Sequence, residues 1–358
     1  MRLWSAKRSS ASPRSEPSPP ANMAPREHPT DEALYAGAKY DPRAPRGHME
    51  SWFLKANDPT GRRALWLRFT IWASAAAPGR AVAEAWAIAF GGREGHVATK
   101  SSVPSEQARF APDRLDVALD GCTLTPTAAR GRVETAGRSI EYDLRIESLE
   151  APMAYLTARW MYERAWPRQK FVGLSPNARV TGTMVVDGER WEVSAWPGML
   201  GHTWGEGHSP VYAWGHCNAW DDGDDVVLDG FSARVKTGPV LSPMLTIACV
   251  RHHGVRYDLN SVLSLARNEG RVSPRRWRFH ARGPRADVQG ELWADTEDFV
   301  GLFYPNPDGT QLFCLNSKIA HAEVTLRLAG RPPKVLRSSR AALELMTSDP
   351  NHGVRMHV

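Results

Sequence analysis

Residues 179–205 read RVTGTMVVDGERWEVSAWPGMLGHTWG, and this stretch decides the fold class. Residues 179–186 are rich in β-branched side chains and end at Asp187-Gly188, a dipeptide typical of tight hairpin turns. Further turn signals stand at residues 58–61 and 308–309. Comparable strand-like runs cover residues 48–55, 64–72, 82–90, 212–218, 226–235, 244–250, 288–293 and 323–328. The sequence therefore predicts an all-β protein.

Helical periodicity is scarce along the chain. Residues 340–346 are predicted as a short helix, and residues 153–162 are ambiguous. Strands and helices do not alternate, which excludes a doubly wound nucleotide-binding fold. The 358 residues suffice for about two domains with buried cores. We expect two antiparallel β-barrels, over residues 31–238 and 239–358, with the boundary at Lys236-Thr237-Gly238-Pro239.

The net charge of +6 is concentrated at the two ends of the chain. Basic residues outnumber acidic ones in residues 1–30 and 327–358, so the body between them is nearly neutral. Such a body lacks the basic face that binding to phosphates requires, and we exclude nucleic acid as a partner. Residues 1–30, rich in Ser, Pro, Ala and Arg, are predicted to be disordered.

The cysteine pattern favours a reducing compartment. None of the four cysteines belongs to a CxxC pair, which is typical of buried free thiols and of a cytoplasmic protein. Apolar runs in the sequence stay shorter than the roughly 20 residues of a membrane-spanning helix. The sequence predicts a soluble or peripheral protein, and contact with a membrane surface stays open, as does the oligomeric state.

Residues 198–222 hold the main candidate site. If residues 201–208 are extended, four side chains share one face: His202, Trp204, Glu206 and His208. A second strand would place four further side chains on one face: Tyr212, Trp214, His216 and Asn218. A turn at Ser209-Pro210 would make the two strands neighbours. Because buried imidazoles and carboxylates need partners, this face fits either the wall of a cavity or a hydrogen-bonded network that fixes the strand register.

The early strand around Glu50 is a second candidate. His48, Glu50 and Trp52 share a face there. If Glu50 is buried without a partner, desolvation raises its pKa and suits it to general acid catalysis. The alternative is a glutamate on an edge strand in contact with water. In residues 82–90, alanines alternate with large side chains, which indicates either core packing or room for a helix or a flat ligand.

Several other chemistries lack their motifs. The acidic run at residues 221–225 does not have the ligand spacing of a calcium loop, and the sequence has no HExxH motif for zinc. There is no GxSxG elbow, and Cys217 would point away from its neighbour His216 on a strand. We therefore expect neither a metal nor a cofactor.

Residues 179–205 resemble the carotenoid 1,2-hydratase (hydroxyneurosporene synthase), AttH and tocopherol cyclase-like family. The shorter runs at 50–53, 214–218, 230–234 and 290–294 fit the same family pattern. The resemblance implies two lipocalin-like barrels with an apolar pocket near their junction, and cofactor-free, acid-initiated hydration or cyclisation of isoprenoid double bonds. His202, Trp204 and Gly205 match the family motif. Gly201 stands where the family often has Asp, so the acid must lie elsewhere.

The expected function is that of a cofactor-independent enzyme acting on a large apolar molecule, isoprenoid or polyketide, by hydration, cyclisation or isomerisation. The alternative is a non-catalytic carrier of a hydrophobic ligand. The catalytic candidates are Glu206, His202, Glu50, Asp229 and His216. The candidates for substrate binding are Trp204, Trp214, Tyr212, Trp52 and Asn218.

Overall fold

The computed structural model describes residues 31–237 and 240–358, so the tail predicted to be disordered, residues 1–30, lies outside the described residues. The strands of the first half are β1 (His48–Asn57), β2 (Ala64–Ala73), β3 (Ala81–Gly92), β4 (Gly95–Pro104), β5 (Arg109–Phe110), β6 (Val117–Leu119), β7 (Cys122–Leu124), β8 (Ala128–Thr135), β9 (Arg138–Ser148), β10 (Met153–Ala154), β11 (Gln169–Val186) and β12 (Glu189–Gly205). Those of the second half are β13 (Tyr212–Cys217), β14 (Val226–Ala233), β15 (Lys236–Thr237), β16 (Val240–Leu241), β17 (Leu245–His252), β18 (Val255–Leu259), β19 (Glu269–Ser273), β20 (Arg276–Arg282), β21 (Ala286–Trp293), β22 (Val300–Pro305), β23 (Gln311–Leu328) and β24 (Lys334–Thr347). The described helices are α1 (Asp31–Tyr35), α2 (Trp160–Glu163), α3 (Val262–Leu265) and two 3-10 turns, Ser105–Gln107 and Thr296–Asp298.

The strands form two large antiparallel sheets. The first has the order β4-β3-β2-β1-β12-β11-β9-β8-β7-β6-β5, with β10 pairing to β11. The second has the order β18-β17-β14-β13-β24-β23-β21-β20-β19, with β22 pairing to β23. The all-β prediction, with two lipocalin-like units and few short helices, is confirmed. The chain leaves the first sheet at Gly205 and enters the second at Tyr212, and β15 and β16, on either side of the expected boundary at residue 238, form a separate two-stranded sheet.

The three predicted hairpin turns are confirmed. They connect β1 to β2, β11 to β12 and β22 to β23, and each of these pairs is antiparallel. Asp187 and Gly188 both have positive φ, 47° and 83°, as the tight turn between twisted strands requires. The Asp-Gly dipeptide thus sets the register of the long β11-β12 ribbon.

The helix predicted over residues 340–346 is wrong, because this segment lies within β24. Its alanines, leucines and glutamate favour a helix in isolation. In the fold, Leu343 and Leu345 pack in the core of the second sheet, while Ala342 and Met346 pack on the opposite face. Burial on both faces of a strand outweighs helix propensity here. Residues 153–162 divide between β10 and the start of α2.

Each sheet encloses its own hydrophobic core, and a third core fills the interface between the sheets. β3 shows how one strand serves two of them. Its alanines, including Ala85 and Ala87, point into the core of the first sheet, whereas Trp86, Ile88 and Phe90 point into the interface core. The alanine face therefore reflects core packing. Residues of β1 and β2 that point outward from the first sheet face the second sheet in the same way.

Candidate functional site

The two strands expected to form one site belong to different sheets. β12 pairs with β1 and β11, whereas β13 pairs with β14 and β24. The expected turn at Ser209-Pro210 is therefore wrong as a hairpin, because residues 206–211 connect the two sheets. The candidates fall into two groups. We name them the Glu50 cluster (His48, Glu50, Trp52, His202 and Trp204) and the Asp229 cluster (Lys55, Tyr155, Trp214, His216 and Asp229).

The carboxylate of Glu50 is buried and fully hydrogen-bonded. Its Oε1 lies 2.9 Å from His202 Nε2, and its Oε2 lies 2.9 Å from His48 Nε2. The backbone N–H groups of Lys39 and Tyr40 also donate to it. Burial alone would raise the pKa of Glu50, but the hydrogen bonds from His202 and His48 outweigh it and lower the pKa to about 2. The condition for a general acid, a buried Glu50 without partners, is therefore not met.

His202 is held as tightly as Glu50. Its Nδ1 lies 2.6 Å from the carbonyl oxygen of Tyr35, and its ring stacks between Trp52 and Trp204 at 4.5 Å from each. Burial lowers the pKa of His202, while the hydrogen bond to Glu50 opposes that shift. Trp52 in turn donates its Nε1 hydrogen to the carbonyl of Ala36. The Glu50 cluster therefore ties β1, β12 and the segment before β1 together, which matches the expected network that fixes strand register.

A cavity of about 300 Å³ lies beside α1 and the first sheet. Tyr35, Leu174 and Leu200 are among its lining residues. None of the ten candidate residues predicted from the sequence lines this cavity. It gives no support to the predicted site.

Glu206 lies on the connection between the sheets and is partly exposed. Its carboxylate pairs with Arg46 at 2.7 Å and with Arg168 at 3.5 Å. These contacts place it outside both clusters. Tyr212 lies half-buried at the start of β13, with its ring 6.2 Å from that of His208.

Asp229 is a buried carboxyl group with one hydrogen-bonded oxygen. Trp214 Nε1 donates to its Oδ1 at 2.9 Å. Burial raises the pKa of Asp229 to about 8, although nearby Tyr155, Trp214 and Lys55 oppose the shift. Among the described residues, neither Oδ2 of Asp229 nor the hydroxyl of Tyr155 makes a hydrogen bond of ordinary geometry. Near neutral pH the site thus holds a neutral carboxylic acid next to the Tyr155 hydroxyl.

His216 lies directly across from Asp229 in the β13-β14 pair. Its Nε2 donates to the carbonyl of Pro176 at 2.9 Å, so Nδ1 carries the lone pair. That Nδ1 is buried and has no partner among the residues the structure describes. Burial lowers the pKa of His216 well below its usual value, and the charge of Lys55 adds to the effect. His216 is therefore a neutral base next to a neutral acid.

Lys55 is a buried member of this cluster that sequence reasoning missed. Its Nζ donates to Asn218 at 3.0 Å and to Asn57 at 3.2 Å. Burial lowers its pKa to about 8. Asn218 is itself anchored by a hydrogen bond to Gly198, which gives it a role in holding the lysine. Lys55 could have been found from the sequence, because it lies two positions after Phe53 and so shares a face of β1 with it. Tyr155 could not, because its segment has no clear pattern.

Aromatic rings surround the Asp229 cluster. Tyr155 stacks on Phe171 at 4.9 Å, and Phe53 meets Trp214 edge-on at 5.6 Å. Phe171 also meets Trp214 edge-on at 6.1 Å, and Phe231 lies 6.2 Å from Tyr155. Ring faces stabilise a nearby positive charge. An acid, a base and an aromatic wall at one place can protonate an alkene and shield the resulting cation.

Across residues 31–237 and 240–358, no group of three or more His, Cys, Asp or Glu side chains could hold a metal ion. Over the same residues, none of the helices has the length and apolar character needed to cross a membrane.

Comparisons with known proteins identify the family. A family model described as tocopherol cyclase-like matches residues 120–347, more than half of the chain. An uncharacterized protein found in two strains of Mycobacterium tuberculosis is 26% identical over 317 residues, covering 85% of this chain and 88% of the relative.

Two solved structures are also similar. An AttH-like protein of Nitrosomonas europaea has a TM-score of 0.55 at 17% identity, and the match covers 95% of this chain and 100% of the AttH-like chain. Kievitone hydratase of Nectria haematococca has a TM-score of 0.48 at 11% identity, and the match covers 84% of this chain and 89% of the hydratase chain. The AttH-like structure supports the fold, and the family model confirms the resemblance seen in the sequence. The chain belongs to the tocopherol cyclase-like family.

Proposed function

We propose that this protein is a hydratase or cyclase that protonates a carbon–carbon double bond of a large apolar substrate. Asp229 is the acid. The observation that carries the proposal is that Asp229 is a buried acid held by Trp214, with the hydroxyl of Tyr155 nearby and with Oδ2 in no hydrogen bond of ordinary geometry among the described residues. Membership of the tocopherol cyclase-like family supports an isoprenoid substrate over a polyketide.

The reaction begins with transfer of the carboxyl hydrogen of Asp229 to one carbon of the alkene. The π electrons form the new C–H bond, the second carbon becomes a cation, and Asp229 becomes a carboxylate. The faces of Trp214, Phe53 and Phe171 stabilise the cation in a site shielded from bulk water. The positive charge of Lys55, also buried, stabilises the Asp229 carboxylate until it is reprotonated.

Two endings of the reaction are chemically balanced. In hydration, a water oxygen bonds to the cation and His216 Nδ1 accepts the proton that the water loses; this proton then passes from His216 to the Asp229 carboxylate. In cyclisation, a hydroxyl oxygen of the substrate bonds to the cation, and its proton goes to the Asp229 carboxylate. Both endings restore the starting protonation states.

The test is conversion of isoprenoid alkenes, with a geranylgeranyl-substituted quinol and an acyclic carotenoid as probes. Hydration adds the mass of one water, while cyclisation keeps the mass and removes one olefinic signal from the NMR spectrum. We expect Asp229→Asn to reduce turnover by roughly 100-fold or more, the usual contribution of a general acid. Asp143→Asn is a matched control, because Asp143 is exposed and pairs with Arg130 on the surface.

Retained turnover in Asp229→Asn would contradict the proposal. Binding of the probes by the wild-type protein without chemical change over long incubation would instead support the carrier alternative.

A further inference from the structure

Arg68 is a buried cation at the interface between the sheets, and the proposed reaction does not use it. It lies on β2, is 6% exposed and points toward the second sheet. Its guanidinium carbon lies 4.3 Å from the ring centre of Tyr304 on β22 and 5.8 Å from the ring centres of Trp66 and Trp86. Three aromatic faces therefore surround the guanidinium.

Among the described residues, Arg68 forms no side-chain hydrogen bond and no ion pair, and its nitrogen atoms are not among the fully buried atoms without a partner, so the guanidinium keeps some contact with solvent. Ring faces compensate only part of the cost of burying a charge, and an arginine carries five N–H donors. Trp66 adds another donor, since its Nε1 is buried without a partner. Unused donors side by side indicate a ligand that brings acceptor oxygens.

The nearby acidic side chains are already engaged. Glu84 accepts hydrogen bonds from Thr70 and Trp86. Glu344 is held by Lys318 at 2.8 Å and by Asn316 at 3.1 Å. These contacts leave Arg68 without a carboxylate paired directly to it.

A neutral histidine lies beside Arg68. His208 stacks on Tyr304 at 5.0 Å. Burial, together with the charge of Arg68, lowers the pKa of His208 to about 3. His208 is therefore neutral and does not compete with Arg68 for an anion.

Arg68 is connected to the proposed catalytic cluster through one aromatic residue. Arg68 lies directly opposite Phe53 in the β1-β2 pair, and the ring of Phe53 contacts that of Trp214. Trp214 donates to Asp229. The apolar side chains of Phe53 and Trp214 therefore link Arg68 to Asp229.

We propose that Arg68 binds an anionic oxygen group of the substrate, so that the substrate class is an apolar isoprenoid acid with a carboxylate at one end. The carboxylate accepts hydrogen bonds from the guanidinium while the hydrocarbon part lies along Phe53 and Trp214 toward Asp229. This inference rests on the proposed function for the position of the double bond. The binding of the acid is independent of the chemistry at Asp229.

The experiment compares two probes that differ only in charge, all-trans-retinoate and its methyl ester. Binding is followed in the full-length protein by quenching of tryptophan fluorescence. We expect the wild-type protein to bind retinoate at least roughly tenfold more tightly than the ester, as a charge-assisted hydrogen bond in a buried site provides. Arg68→Met should remove this preference and leave the affinity for the ester unchanged, and Arg68→Lys should keep part of it.

Arg130→Met is the matched control, because Arg130 is exposed on the surface of the first sheet. Asp229→Asn should keep the preference for retinoate, so loss of turnover and loss of acid binding are read separately. Equal binding of the two probes by the wild-type protein overturns the inference, whether or not Arg68→Met folds. A preference for retinoate that persists in folded Arg68→Met overturns it as well.

Discussion

Asp229 and Glu50 are both buried carboxyl groups on strands, and their surroundings shift their pKa values in opposite directions. Glu50 accepts hydrogen bonds from two histidines and two backbone N–H groups, which stabilise its ionised form. Asp229 accepts one hydrogen bond of ordinary geometry, from the Trp214 indole, and the nearby Tyr155 hydroxyl and Lys55 charge lower its pKa by less than burial raises it. The number of donors around the carboxylate thus decides which group is a structural anion and which is an available acid.

For Glu50, we expect Glu50→Gln to lower the free energy of unfolding by roughly 3 to 5 kcal/mol, because the change removes the negative charge that faces His202 and His48 and replaces one acceptor oxygen with a donor. The contribution of Glu50 to the free energy of unfolding is present above pH 4.5 and is lost as the pH falls toward 2, because the pKa of Glu50 is lower in the folded protein than in the unfolded chain. Urea unfolding at several pH values measures both effects. A variant as stable as the wild type would contradict the structural role.

For Asp229, the rate of the proposed reaction should fall as the pH rises through about 8, because the acid form is lost there. The raised pKa of Asp229 can also be tested without a substrate, from the pH dependence of stability. The raised folded pKa means that the folded protein holds a proton that the unfolded chain releases, so stability falls as the pH rises from about 4 to about 8. The urea midpoint of Asp229→Asn should depend less steeply on pH across this window than that of the wild type. Equal slopes for the two proteins would contradict the raised pKa of Asp229.

Gly201 and Phe53 form a matched pair on neighbouring strands. They lie opposite each other in the β1-β12 pair, and a Cβ atom at position 201 would lie 2.4 Å from the Phe53 ring. Phe53 is itself confined by Phe171 and Trp214. The position where the family often has Asp is therefore closed in this protein by an aromatic ring.

We expect Gly201→Ala to destabilise the protein by roughly 1 to 3 kcal/mol through overpacking. Phe53→Leu shortens the opposing side chain, so the double variant should lose less stability than the two single changes add up to. A double-mutant cycle from urea unfolding measures this coupling. Additive changes would show that the two residues do not share space.

Alternation within single strands was readable from the sequence, and pairing between distant strands was not. The faces holding Glu50 with Trp52 and Trp214 with His216 follow from a period of two. The sequence placed β12 beside β13 because they are adjacent in the chain. Their partners are instead β1 and β24, and the contacts that decide this lie in the shared interface core. Tyr155 joined the site through an irregular segment that carries no periodic signal.

At the scale of the whole molecule, the two sheets are connected by buried polar contacts as well as by apolar packing. Lys55 of the first sheet donates to Asn218, which follows β13 of the second. Asn57 of β1 donates to the carbonyl of Lys318 on β23. Separation of the sheets would expose the interface core and leave these groups without partners.

We therefore expect the two sheets to unfold together. Calorimetry of the full-length protein should show one transition, and Asn57→Ala should lower the temperature of that transition as a whole. Two separated transitions, with only one of them shifted by Asn57→Ala, would show that each sheet is stable on its own.

The hydrogen bond from Trp214 to Asp229 gives the protein an internal optical indicator. Indole emission responds to the charge of its acceptor, so ionisation of Asp229 should produce a spectral change centred near pH 8. Trp214→Phe should abolish that change although 13 other tryptophans remain of the 14 in the chain. A fluorescence titration can thus follow the proton of a single buried carboxyl group before any substrate has been found.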